Sequence, residues 1–284
     1  EADIPFTSRF LIDHGVKGAV RITGDAASAP KERYDVFFDK PTLSHTDWRP
    51  GLDDLHVLSV DLETDPDQST VLSAAIATNG GEETVFLNTD ADVNAGIICE
   101  GEKSLLQKVR STILSLDPDI ITGWNVIDFD FDLLASKFDD HDVPFDLGRE
   151  EGTSSVSTRS AYMRDSSMTV RGRMVLDGIH VLRNNFVSLD DYKLNTAANH
   201  FLDESKDFSG EAKESDILDA YRDEPERFVA YNRRDASLVL DIFKESNALN
   251  VSILRSCLTG MPLDRVSSTI ASFDSLYLSE LRQA

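Results

Sequence analysis

His56-Val57-Leu58-Ser59-Val60-Asp61-Leu62-Glu63-Thr64 is an apolar stretch that carries two acids. The run of Val and Leu reads as a buried β-strand, and residues two apart on a strand share a face. Asp61 and Glu63 therefore project side by side from a sheet that is otherwise apolar. Two uncompensated carboxylates in such a place are costly, and a cation is the usual remedy. A divalent-metal site is the first expectation, and its remaining ligands should lie elsewhere in the chain.

Outward from this strand the pattern stays regular. Residues 71–77 and 83–87 read as two further strands, joined by Asn79-Gly80-Gly81, a strong hairpin signal. Residues 104–116 carry Leu105, Leu106, Val109, Ile113 and Leu116 at helical spacing. Residues 119–124 predict a fourth strand, 131–138 a second helix and 173–179 one more strand. This order of strands and helices predicts an α/β fold with a mixed central sheet flanked by helices. Residues 141–168 read as an irregular, exposed loop. From Leu189 the chain is mostly helical, over 193–202, 214–222 and 225–247, and after a break at Gly260-Met261-Pro262-Leu263 again over 265–282. The first 50 or so residues are less periodic, with short strands expected at 9–13, 18–22 and 34–38. Pro41, Pro50 and Gly51 then punctuate a loop, which places a boundary near Asp53. The expected division is a small β-containing segment at 1–53, the α/β domain at 54–250 and a helical extension at 251–284.

Composition narrows the class. The chain of 284 residues has a net charge of −23 and is 40% hydrophobic. That suits a soluble globular protein, and no apolar run approaches the ~20 residues of a membrane helix. The first residue is Glu1, and neither an initiator Met nor a signal region precedes the fold, so the chain reads as part of a longer protein. Cys99 and Cys257 are its two cysteines, which imply no disulfide framework and a cytoplasmic, reducing compartment. The acidity by itself argues against a polyanionic partner, over a Debye length of ~8 Å. Metal-binding carboxylates account for a few of the charges, and a salt-rich source would add more at the surface.

Three further sets of acids can complete the site. Asn125-Val126-Ile127-Asp128-Phe129-Asp130 follows the fourth strand, where ligands sit in α/β sheets. Tyr231-Asn232-Arg233-Arg234-Asp235 lies in a helix, and the spacing of four puts Tyr231 and Asp235 on one face. Asp177 ends a strand. Each has a plainer reading. Asp130 alone is a helix-start acid favoured by the macrodipole, Tyr231 and Asp235 an ordinary pair, and Asp177 a strand-end acceptor of backbone hydrogen bonds.

Taken in order, Asp-x-Glu on a strand, Asp130 after a later strand and Tyr-x-x-x-Asp in a late helix resemble the motifs of the tyrosine-type DEDD exonucleases. Their local contexts, Val-Asp-Leu-Glu-Thr, Gly-Trp-Asn-Val-Ile-Asp-Phe-Asp and Tyr-Asn-Arg-Arg-Asp, resemble the 3′→5′ proofreading domain of family B DNA polymerases, within it the bacterial polymerase II branch. Asp146-Leu147-Gly148-Arg149, residues 172–179, Gly260-Met261-Pro262-Leu263-Asp264-Arg265 and residues 271–278 extend the likeness over about 50–284. The resemblance implies a ribonuclease H-like fold at 54–250, with 1–53 part of an N-terminal domain and 251–284 the start of the connection to the palm. It implies two Mg2+ or Mn2+ ions held by Asp61, Glu63, Asp130 and Asp235, with Asp61 bridging both and Tyr231 orienting the attacking water. It places Asn125, Phe129 and Leu62 near the terminal nucleotides. Phe129 either stacks on a base or packs in the core, and Leu62 either wedges between the last bases or packs in the core. Arg159, Arg164, Arg171 and Arg173 fall in or beside a segment that in the family includes a strand-partitioning hairpin. The implied partners are a single-stranded or mispaired DNA 3′ end, the palm, fingers and thumb of the polymerase, and a sliding clamp reached through other parts, with no membrane. The family's polymerase motifs do not occur, so this chain is not expected to synthesise DNA. The competing expectations are a non-catalytic nucleic-acid-binding or scaffolding domain that has kept the fold, and a free-standing RNA exonuclease, which the palm-like 260–278 disfavours.

Overall fold

A computed structural model describes residue 4 and residues 6–27, 36–91, 93–158, 166–202, 214–266 and 268–283. The chain divides into two compact units, one formed by 55–247 and the other by 1–54 together with 248–284.

In the smaller unit α1 spans Phe6–Asp13, where a strand was expected over 9–13. Arg9 pairs with Asp13 one turn on, at 3.3 Å, the four-residue spacing at which helical side chains meet. β1 (Val20–Thr23) pairs antiparallel with β4 (Thr42–His45), and β2 (Ala26–Ala27) with β3 (Phe37–Phe38). Residues 34 and 35 of the strand expected over 34–38 lie outside the described residues. A 3-10 turn at Leu52–Asp54 closes the segment.

The larger unit is built on a six-stranded sheet. Its strands are β5 (Val57–Thr64), β6 (Val71–Thr78), β7 (Glu83–Leu87), β8 (Ile97–Ile98), β9 (Ile120–Gly123) and β12 (Met174–Asp177). The spatial order is β12-β9-β5-β6-β7-β8. β5 to β7 form an antiparallel meander, whereas β12, β9 and β5 run parallel. β8 was not anticipated, since a two-residue strand shows no periodicity. α2 (Glu102–Leu116) and α3 (Asp130–Asp140) follow the predicted helices. The loop expected over 141–168 instead contains β10 (Ser155–Ser157) paired with β11 (Ser167–Thr169). Arg159 and Arg164 lie between these strands, outside the described residues. Beyond β12 come α4 (Gly178–Asn184), α5 (Leu194–Leu202), α6 (Glu214–Asp223) and α7 (Pro225–Ser246). In the smaller unit α8 (Ala248–Thr259) ends at Gly260, whose φ of 72° suits glycine, and α9 covers Thr269–Gln283.

Alternation along β5 sorts its side chains between two cores. Leu58, Val60 and Leu62 join Phe86, Leu105, Leu106, Phe131, Leu134 and Phe138 on the face covered by α2 and α3. The other face packs Ala75, Ala77 and Val85 against Phe228, Val229 and Ala236 of α7. Burying one such large apolar side chain contributes about 1.5–3 kcal/mol. Asp61 and Glu63 therefore point toward α7. Their register partners on β6 are Ala75 and Ser73, small residues that leave the helix room to approach. Among the described residues no helix is long and apolar enough to cross a membrane.

Candidate metal centre

Asp61 and Glu63 share a face because they are two apart on β5, and α7 brings Asp235 across to them. Each of the three offers a carboxylate oxygen within 4.8 Å of the other two, and all three remain partly open to solvent. Tyr231, one turn before Asp235, donates its hydroxyl to the Asp235 carboxylate.

Asp130 arrives by a different route. β9 pairs with β5 only as far as Ser59↔Thr122, and it ends at Gly123. A Cβ at Gly123 would collide with the Val60 carbonyl oxygen, so only glycine lets the strand leave there. Asn125 then turns the chain with φ 57°, and α3 begins at Asp130. With no strand continuing on the β9 side of β5 at this level, the Leu62 N–H is free to donate to Asp130 Oδ1, at 2.9 Å. Asp130 is 3% exposed and falls outside the group of three. Its charge nonetheless reaches Asp61 and Glu63.

The electrostatics show what the arrangement lacks. Burial and the neighbouring charges of Asp235, Glu63 and Asp130 hold the Asp61 carboxyl well above the usual carboxylate range. Burial and Asp235 push Glu63 up to about 8. Burial raises Asp235 to about 6 against the opposing Tyr231 hydrogen bond and Arg234 charge. Burial raises Asp130 too, offset in part by the Leu62 N–H. Packed acids that raise one another in this way are short of positive charge. Hard oxygen donors, with no sulfur or imidazole in the group among the described residues, suit a divalent cation such as Mg2+ or Mn2+. The residues fit such an ion.

Asp177 is different. It caps α4, its Oδ1 accepting from the N–H groups of Ile179 at 2.9 Å and His180 at 3.3 Å, while Oδ2 accepts from Ile127 at 3.3 Å. This is the strand-end acceptor role read from the sequence.

Around the site, Asn125 is exposed and Phe129 is half-buried at the start of α3. Leu62 packs in the core cluster, at 5% exposure. Arg173 is not available to a strand. Its guanidinium donates to the carbonyls of Leu147 and Pro118 and pairs with Asp117. Arg171 is exposed and donates to the Glu151 carbonyl. Sequence reasoning gave no role to Asn232, which is wholly buried and donates to Asp61 Oδ2 at 2.7 Å. The signal was an amide on a helix face otherwise lined by Phe228, Val229 and Ala236.

A family model for the exonuclease domain of DNA polymerase family B matches residues 1–197. The chain is 26% identical, over all its length and 36% of the relative's, to DNA polymerase II of Escherichia coli (strain K12). It is 29% identical to the DNA polymerase delta catalytic subunit of Mesocricetus auratus, over 93% of this chain and 27% of that protein. The chain thus spans about a third or less of the length of these curated relatives. The fold matches the family B DNA polymerase from the hyperthermophilic archaeon Pyrobaculum calidifontis with a TM-score of 0.75, at 21% identity, over 100% of this chain and 36% of that one. With the family model covering more than half of its residues, the chain belongs to DNA polymerase family B, as the exonuclease domain.

Proposed function

We propose that this chain hydrolyses the terminal phosphodiester of a single-stranded or frayed DNA 3′ end, as the proofreading part of a longer polymerase. The observation that carries the reading is the group of Asp61, Glu63 and Asp235, three mutually repelling carboxylates with solvent access. Asp61 would bridge two Mg2+ or Mn2+ ions, with Glu63 and Asp235 completing one site and Asp130 the other. Ions bound there would lower the pKa of the attacking water and neutralise charge on the phosphoryl group and leaving oxygen.

The chain's own residues do the positioning. Tyr231 is held against Asp235, and burial with the surrounding acids drives its pKa far above the usual phenol range. A phenol with an ordinary pKa near 10 is protonated at neutral pH, so Tyr231 would orient the water by a hydrogen bond and not act as a base. Half-buried Phe129 would stack on a terminal base, a sequence-tolerant contact worth about 1–3 kcal/mol. Asn125 is exposed beside it and available to the same nucleotide. The net charge of −23 makes DNA binding by this chain weak and steeply salt-dependent, with positive charge supplied by the palm and thumb of the longer protein. A sliding clamp would be reached through those other parts.

The test is digestion of a 5′-labelled single strand. The chain should shorten the strand stepwise from its 3′ end with Mn2+ or Mg2+ and stop in EDTA. The Asp61→Ala/Glu63→Ala variant should be slower by about 10^3-fold or more, the several kcal/mol that metal ions supply. Equal rates for the two proteins, or cleavage that survives EDTA, would sink the reading. Binding of the strand without any cleavage would favour a scaffolding role.

A further inference from the structure

Asp61 is the acid that every part of this site shares, so what fixes its carboxylate matters. Asn232 lies on α7 between Tyr231 and Asp235 and is wholly buried. Its Nδ2 donates to Asp61 Oδ2 at 2.7 Å and reaches the Asp61 main-chain carbonyl at 3.3 Å. Its Oδ1 accepts from the hydroxyl of Ser73 at 2.8 Å, and Ser73 is also wholly buried, on β6 opposite Glu63.

The amide can sit in only one way. Both groups on its Asp61 side are acceptors, so an amide flipped by 180° would set oxygen against oxygen around a side chain that is itself wholly buried. The Ser73 hydroxyl reinforces the choice by donating to the opposite end. Each polar atom of the side chain is used, and an acid, a longer amide or an apolar residue could not make the same set.

We infer that Asn232, oriented by Ser73, is a positioning residue that sets the Asp61 carboxylate for a divalent cation. The amide bond to Oδ2 fixes the rotation of the Asp61 carboxylate, so its remaining lone pairs keep one direction. Ion ligands are commonly aimed by such outer hydrogen bonds, whose loss costs about 10–100-fold in metal affinity. Asn232 touches neither substrate nor ion in this assignment and acts through Asp61. The inference rests on the metal-dependent reading above.

Mn2+ binding to the whole chain without DNA, followed by the paramagnetic resonance of free Mn2+, tests it. Asn232→Leu keeps the volume and removes the hydrogen bonds, and the Mn2+ Kd should rise about 10–100-fold. Ser73→Ala, a milder change at a distance from the ion, should raise it several-fold, in the same direction. Asp61→Asn should abolish binding. In the digestion assay, raising Mn2+ by the factor measured for Asn232→Leu should restore most of its cleavage, which a misfolded site would not allow. Unchanged Kd in Asn232→Leu and Ser73→Ala, with binding lost in Asp61→Asn, overturns the inference and leaves the proposed function standing. Should Asn232→Leu fail to fold, Ser73→Ala decides alone, and a wild-type Kd there overturns it. If the unmodified chain binds no Mn2+, or Asp61→Asn binds it normally, the proposed function falls and this inference with it.

Discussion

The parallel strands β5 and β12 each carry acids near the same end of the sheet, yet their acids live in opposite circumstances. Asp177, at the end of β12, accepts three backbone N–H groups. Asp61 and Glu63, at the end of β5, face Asp235 and one another, and Asp61 receives the side-chain amide of Asn232. Both sites raise the pKa of their acids by burial. Only at β5 do neighbouring carboxylates add so much to the rise. A buried acid with its hydrogen bonds made is part of the scaffold. A group of acids that repel each other is a receptor waiting for positive charge, and it costs the metal-free fold stability.

Three experiments can break or sharpen that contrast. The largest effect is on chemistry. Asp235→Asn should slow 3′-end digestion by about 10^3-fold, whereas Asp177→Asn, which keeps an acceptor oxygen for the cap, should stay within about tenfold of the unmodified chain. Comparable losses in both variants would erase the distinction between receptor and scaffold.

The next effect is on stability at the cap. Asp177→Ala strands the N–H groups of Ile179, His180 and Ile127. The cost should be about 2 kcal/mol, or a Tm lower by about 4–8 °C in a thermal melt. A Tm unchanged within a degree would show that the cap is dispensable.

The smallest effect is on pH dependence. Glu63 at about 8 and Asp235 at about 6 are raised above the ~4 of a free carboxylate, so the folded chain holds their protons more tightly than the unfolded one. Their contribution is therefore fully present below about pH 4 and is lost as pH rises through 6 and then 8. In EDTA the Tm should decline between pH 5 and 8 by a few degrees more than in Glu63→Gln. Saturating Mn2+ should abolish the decline, because the ion supplies the missing charge. A Tm that rises over this window in EDTA, equally in both proteins, would contradict the repulsion inferred at β5.

Much of this could be read in the sequence because the governing patterns are local. The periods of β5, β6, β7, α2 and α7 follow from apolar spacing, and the order of the acidic motifs carried the resemblance. Three things escaped. The helix at Phe6–Asp13 and the strands at Ile97–Ile98 and Ser155–Ser157 are short, and their state depends on what they pack against. The separation of Asp130 from the other three acids depends on where β9 leaves β5. The role of Asn232 depends on a partner 171 residues away in sequence.

By itself, the sequence determined that Asp61 and Glu63 share one face of a buried strand, since a pleated chain alternates and nothing else can. It likewise determined that Tyr231 and Asp235 lie one above the other on a helix. The tertiary structure alone decided which face that is, and hence that α7, with small residues Ala75 and Ser73 beneath it, closes the acids into one group. It also decided that Asp177 is satisfied by backbone donors while Asp61 meets a side-chain amide and the carboxylates of its neighbours. Local periodicity fixes where a side chain points, but only packing fixes what it meets there, and the charge state of a buried acid is set by what it meets.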